Sequence, residues 1–494
     1  MASYLGIDAG TQSLKAIVIG EDAVLAESAV HFGRDLPRYG APNGFLPGDD
    51  PAVRHADPRM WTEALELALQ RLADAGANLA DVRGISGSGQ QHGSVYLDRD
   101  GGLSRATSPI WMDRSTSAEC REIAGRFGAR VQAETGSPPI ERFTGPQIRK
   151  FFKDDPEAYA RTARIHLVSS YLCSQLIDAD APVDTGDGAG MNLLNLRTLK
   201  WDPELVEFTA PGLLEKLPRP VPGDTIAGGL AQRFARYGLK PGTPVAAWSG
   251  DNPNSLVGTG AAEPGMAVIS LGTSDTFFAA MPAFRTDPEG CGHVCGNPAG
   301  GFMSLICFTN GSLAREKVKE ACGVDWAFFD REALRQTPFG NGGRLMLPYF
   351  EPESTPLVLK PGVRCNFAEA TPAERIRALL ESQVLSMRRH SAWQGQAFTR
   401  IRVTGGASQS EGMRQLLADI FQARIETIQV ANSAALGAAM RAANAVEGTP
   451  FAELSARFCR PTAVVESDPA KREQADAMLA AFTAFEAEAP RTRG

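Results

Sequence analysis

Near its start the chain reads Tyr4-Leu5-Gly6-Ile7-Asp8-Ala9-Gly10-Thr11-Gln12-Ser13-Leu14-Lys15-Ala16-Ile17-Val18-Ile19. Two apolar runs, Tyr4 to Ile7 and Leu14 to Ile19, flank a polar turn at Asp8 to Gln12. That pattern predicts strand, tight turn, strand, and a further apolar strand follows at Ala23 to Ala26. Gly10 lets backbone N–H groups approach an anion with no Cβ in the way, and Thr11 adds a hydroxyl. Asp8, at a strand end, has the chemistry to hold Mg²⁺ through water. The same residues also suit an Asx turn that does nothing but join two strands.

The unit recurs about half a chain later. Ala267 to Leu271 is a strand, Gly272-Thr273-Ser274-Asp275-Thr276 a turn, and Phe277 to Ala280 a strand. Two such loops suit a polyphosphate held between two related lobes, an arrangement that resembles the actin, heat-shock chaperone and sugar-kinase ATPase fold. Strands and helices alternate around them, so the class is α/β. Asp57-Pro58 supplies an N-cap with Pro at the first helical position, followed by Trp61, Leu65, Ala68 and Leu72 at helical spacing. Thr371-Pro372-Ala373-Glu374 is a capping box that starts a helix running to about Trp393. Glu411 to Phe421 is a helix, and the Ala-rich stretch Ala431 to Ala443, with Gly437, is a helix slim enough for close packing. The turn at Pro241-Gly242 divides the chain into 1–243 and 244–494.

Composition narrows the class. With 43% hydrophobic and 22% charged residues over 494 positions, the chain can bury large cores without disulfide or metal staples. Basic and acidic residues are interspersed and the net charge is −7, which argues against nucleic acid as a partner. Eight scattered cysteines with no C-x-x-C pair read as reduced thiols, hence a cytoplasmic protein. Cys291, His293 and Cys295 carry metal-binding groups, but their spacing matches no zinc pattern; a Gly-rich loop with incidental thiols is the other reading. Residues 1–10 show no basic segment followed by an apolar run, so no signal peptide is expected. No stretch is apolar enough for a membrane span.

Three further segments carry chemistry. Thr404-Gly405-Gly406-Ala407-Ser408 lies between a strand and a helix, where its glycines would let backbone approach a flat ligand such as adenosine; a plain β–α turn reads equally well. Ser249-Gly250-Asp251-Asn252-Pro253 follows a strand. Asp251 there is either a base for phosphoryl transfer or, with Asn252, a helix N-cap before Pro253. Gly89-Gln90-Gln91-His92-Gly93, Trp111-Met112-Asp113 and Glu141-Arg142-Phe143 offer polar groups suited to a polyol.

Taken in order, these segments resemble the FGGY carbohydrate kinase family over nearly the whole chain, from about Leu5 to about Ala443. Asp187-Gly188-Ala189-Gly190-Met191-Asn192, Asn310-Gly311-Ser312-Leu313 and Gly340-Asn341-Gly342-Gly343 add to the match. The resemblance implies two actin-like, ribonuclease H-like lobes around a deep cleft, sugar on the first and nucleotide on the second. It implies ATP-dependent phosphorylation of D-xylulose on its 5-hydroxyl, with another ketose such as ribulose as the alternative. It makes Asp251 the catalytic base and puts Asp8 at Mg²⁺ and phosphate. Gln91, His92, Arg142, Asp251 and Asn252 would contact the sugar. Gly10, Thr11, Gln12, Gly272, Thr273, Trp326, Gly405, Gly406, Ala407 and Ser410 would contact the nucleotide. Ser410 stands where Asn is expected, and many bacterial relatives carry Met in place of Gln91. The implied partners are the ketose and ATP, with no nucleic acid and no membrane, and a homodimer as the assembly to test. An actin-like ATP-driven binding protein is the reading from another class; it would need neither a sugar site nor a base at 251.

Overall fold

The computed structural model describes residues 2–489. The chain forms two compact units. The first runs to Ala262 and is completed by Val294–Met303 and Val430–Cys459. The second takes Glu263–His293, Ser304–Gln429 and the residues from Arg460 onward.

The first unit is built on strands β1 (Ser3–Ala9), β2 (Ser13–Ile19), β3 (Val24–His31), β4 (Val82–Gly89), β5 (Ile226–Gly229), β6 (Pro244–Ala246) and β7 (Ser249–Gly250). The sheet runs β5-β6-β4-β1-β2-β3, and β7 also pairs with β4. β1 is antiparallel to β2 and parallel to β4, which is parallel to β6 and β7. Asp8 lies opposite Ser88, and Ser88 opposite Ser249. The C-terminal ends of β1, β4 and β7 therefore meet at one edge, where open α/β sheets bind ligands. Helix α1 (Pro58–Asp74) starts where Asp57 accepts the Arg59 N–H, and it buries Trp61, Leu65, Ala68 and Leu72 as the periodicity predicts.

Beneath β1, helix α2 (Asp251–Gly258) packs on the Ser433–Glu447 helix. Only small residues permit this contact. A Cβ on Gly437 would lie 1.9 Å from the Asn254 carbonyl oxygen, and one on Gly258 1.8 Å from that of Ser433. Gly6 of β1 meets the same helix, with 2.1 Å to the Ala435 carbonyl oxygen. The first unit thus continues past the Pro241-Gly242 turn. β6 and β7 complete its sheet, α2 covers it, and the Ser433–Glu447 helix returns from the far half of the chain to pack there.

The second unit repeats the plan with strands β8 (Met266–Leu271), β9 (Asp275–Met281), β10 (Phe302–Phe308, in this unit from Ser304), β11 (Arg400–Thr404), β12 (Arg424–Thr427) and β13 (Ala463–Val465), ordered β10-β9-β8-β11-β12-β13. β8 is antiparallel to β9 and parallel to β11, with Ser270 opposite Thr404. Helix α3 (Pro372–Ser391) begins at a reciprocal capping box: Thr371 Oγ1 accepts the Glu374 N–H and Glu374 accepts the Thr371 N–H. Helix α4 (Glu411–Phe421) follows β11. Among the described residues no helix is long and apolar enough to cross a membrane.

Candidate active site

Three strand ends of the first unit deliver the polar residues. β1 ends in Asp8-Ala9, β4 runs into Gln90-Gln91-His92, and β7 into Asp251. Gly250, not Asp251, is the N-cap residue of α2, and no side chain caps that helix. The Asp251 carboxylate instead accepts the Asn252 N–H at 2.8 Å and the Asn252 side-chain amide at 3.1 Å. That amide also donates to Gln91 Oε1 at 3.0 Å. Burial first, and then the negative charge of Asp8, push the Asp251 carboxyl up to about 7. Burial likewise raises Asp8, against the Ser88 hydroxyl and the charge of Lys15, which lower it. A carboxyl poised near neutrality suits a general base.

His92 takes a left-handed backbone, φ 72°, a conformation uncommon outside glycine. Its Nδ1 lies 3.1 Å from the Gly190 carbonyl oxygen, and its ring packs edge-on against Phe143 at 4.7 Å. The half-buried Arg142 guanidinium stands 5.9 Å from the same ring. The structure thus gathers Gln91, Asn252 and Asp251 directly, and groups His92 and Arg142 around Phe143. In the neighbouring turn the Gly10 N–H donates to the Ser13 carbonyl, and Thr11 Oγ1 accepts Trp111 Nε1–H at 2.8 Å. Gln12 is exposed. Asp113, by contrast, is a structural group: buried, it accepts from the Arg54 and Ser115 N–H groups and from Gln147, and sits well below the usual carboxylate range.

Sequence reasoning gave no role to Asp184, Asp187 or Arg441, all buried in this unit. Burial raises Asp187 well above the carboxylate range, reinforced by Asp184 and Asp251. Arg441 donates to the carbonyls of Gly223 and Ala247, both at 2.7 Å, and to Asn254 Oδ1 at 3.1 Å; it lies 3.7 Å from Asp184. A signal existed for it: Arg441 is the lone ionisable residue in the run Ala434 to Ala443.

In the second unit, register places the Gly272-Thr273 loop and the Gly405-Gly406-Ala407 loop at neighbouring strand ends. Gly405 has φ 90°, and a Cβ there would come within 2.3 Å of the Leu271 carbonyl oxygen. The buried Arg315 grips both oxygens of Asp275, at 2.7 and 3.1 Å, and its Nη2 lies 3.4 Å from the Gly272 carbonyl oxygen. Ser312 N–H also donates to the Gly272 carbonyl, at 2.8 Å. Ser410 caps α4: its hydroxyl accepts the Met413 N–H and donates to Asp330 at 2.6 Å. The fold thus engages the Ser410 hydroxyl in both directions. Trp326 is exposed, against Phe329 at 5.0 Å and beneath the Lys319 ammonium at 4.6 Å. In the Cys291 loop, Asp287 accepts the Cys291 and Gly292 N–H groups; Cys295 belongs to the first unit, and burial pushes its thiol up to about 12.

The models of the N-terminal and C-terminal domains of the FGGY family of carbohydrate kinases match residues 3–258 and 267–446. The chain belongs to the FGGY family of carbohydrate kinases. It is 38% identical to xylulose kinase 2 of Arabidopsis thaliana over 89% of this chain and 87% of that one. It is 36% identical to the xylulose kinase of Mus musculus over 98% and 93%. The structure of a xyloylose kinase from Brucella ovis shares its fold with TM-score 0.84 at 26% identity, over 98% of both chains. As an FGGY kinase the protein is an enzyme that uses ATP and a sugar, on the two-lobed actin-like α/β fold.

Proposed function

We propose that this FGGY kinase transfers the γ-phosphoryl group of ATP to the 5-hydroxyl of D-xylulose, with Asp251 as the base. The observation that carries the reading is the half-buried Asp251 carboxyl, pushed up to about 7 and joined through Asn252 to Gln91. Xylulose kinases among the relatives, matched over most of the chain, support the choice of ketose. In this reading the first unit holds the sugar, through Gln91, His92, Arg142, Asp251 and Asn252. The second unit holds the nucleotide, with Gly272 and Thr273 at the phosphates and Gly405, Gly406 and Ala407 at the adenosine. Gly10, Thr11 and Gln12 add phosphate contacts, and Trp326 and Ser410 border the nucleotide.

Asp251 takes the proton of the 5-hydroxyl as that oxygen bonds to the γ-phosphorus and the bond to the ADP oxygen breaks. Backbone amides of the Gly-Thr loops stabilise the charge that develops on the phosphoryl oxygens. Asp8 fits Mg²⁺: it is a hard oxygen donor whose Oδ1 has no hydrogen-bond partner among the described residues. When bound there, the ion neutralises phosphate charge. A panel of ketoses and polyols with ATP, read by ADP release, tests the substrate. D-xylulose should give the highest kcat/KM, and a clear preference for ribulose or glycerol would replace it.

A further inference from the structure

The turn from Asp184 to Asn192 lies against His92 and is held at both ends. Asp184 accepts the Asp187 N–H at 2.9 Å, and the Asp187 carboxyl is hydrogen-bonded to the Ser169 hydroxyl. At the far end, Asn192 has φ 59°, and its amide donates to Thr135 Oγ1 at 2.7 Å and to the Ser137 carbonyl at 3.0 Å. Between these anchors the Gly190 carbonyl oxygen faces His92 Nδ1 at 3.1 Å. A carbonyl only accepts, so Nδ1 carries the proton, and in the neutral ring Nε2 keeps its lone pair. A side chain at Gly190 would have to displace the imidazole: a Cβ there would lie 2.6 Å from His92 Nδ1.

We propose that the Asp184–Asn192 turn selects the acceptor sugar by fixing His92 as its Nδ1–H tautomer, so that Nε2 meets the ketose as a hydrogen-bond acceptor. This deepens the sugar-site reading above and rests on it. The matching sugar group is then a hydroxyl that donates, not the ketone oxygen, which cannot. Gly190, Asp187 and Asn192 are positioning residues that act through His92. A site built to accept from a hydroxyl discriminates strongly against a ligand that lacks it.

The test uses the full chain labelled with ¹⁵N-histidine, which gives only six imidazoles to assign, with His92→Gln identifying the relevant pair. The wild type should show His92 protonated on Nδ1 and not on Nε2, and Gly190→Ala should lose that signature. Gly190→Ala, or Asp187→Ala if that variant does not fold, should raise KM for D-xylulose by about tenfold, the scale of one lost hydrogen bond, with KM for ATP little changed. A proton on Nε2 in the wild type overturns the inference, as does an equal rise in both KM values. If His92→Gln leaves KM for the ketose unchanged, the sugar-site reading itself fails, whichever tautomer is found.

Discussion

The two units place the same backbone device in different electrostatic settings. Each has an antiparallel pair joined by a Gly-Thr turn, beside a parallel strand that ends in a second glycine-bearing loop. In the second unit the buried acid near the turn, Asp275, is held by both arms of Arg315. Burial raises Asp275 even so; in the first unit burial raises Asp8, and burial together with the charge of Asp8 raises Asp251, with no arginine gripping either among the described residues. One unit ties the acid beside its turn to an arginine; the other leaves Asp251 poised near neutrality. On the proposed function the same scaffold supports binding in one place and proton transfer in the other, and the side chains, not the fold, decide which.

The largest effect should come from the carboxyl that makes the difference. Asp251→Asn should lower kcat by at least about 10²-fold, the scale of general-base catalysis, while ATP binding persists, because the amide is nearly isosteric. Near-normal turnover would remove Asp251 from the chemistry. On the other side of the comparison, Arg315→Met strands Asp275 in the core. Breaking a buried ion pair in this way costs about 3–5 kcal/mol, so a lower first melting transition is expected; unchanged melting would mean that Asp275 is not held as described.

Much of the shared backbone device was legible in the sequence, because strand ends and glycine loops have local signatures; the pairing of Asp275 with Arg315, 40 positions apart, was not. The turns at 10, 272 and 405, helix α4 from Glu411 to Phe421, and the capping box at Thr371 all follow from nearest neighbours in the chain. The N-cap alternative at Asp251 was decided by one residue of register, since Gly250 takes the cap. What the sequence hid was long-range. Arg441 lies 187 positions from the Asn254 side chain it binds. The return of the Ser433–Glu447 helix to the first unit also has no local sign. Nor does the pairing of Ser410 with Asp330, 80 positions away, which engages a hydroxyl expected at the nucleotide.

A smaller effect sharpens the division of labour. Gly405→Ala forces a side chain into a φ of 90° and against Leu271. It should raise KM for ATP by about tenfold or more, on the scale of a strained backbone position, with KM for D-xylulose little changed. His92→Ala and Arg142→Ala should do the reverse. Parallel rises in both constants for every variant would mean that the two units do not divide the substrates.

The last effect is on stability, and it runs opposite to the effect on rate. The Asp251 carboxyl is pushed up to about 7 in the folded chain, while an unfolded aspartate titrates near about 4. Between those values the folded state holds a proton that the unfolded state has released. Stability from this group therefore falls as pH rises from about 4 to about 7, and the full cost persists above that. Asparagine cannot ionise and escapes the cost. Asp251→Asn should match the wild type in melting temperature near pH 4 and exceed it by a few degrees at pH 8. Activity needs the ionised form, so wild-type kcat/KM should climb as pH rises and level off above about 7. On the proposed mechanism the carboxylate is thus kept where it weakens the fold in the pH range where it works. A melting difference that does not change with pH would show that Asp251 titrates normally, and the poised base would then have to be sought elsewhere.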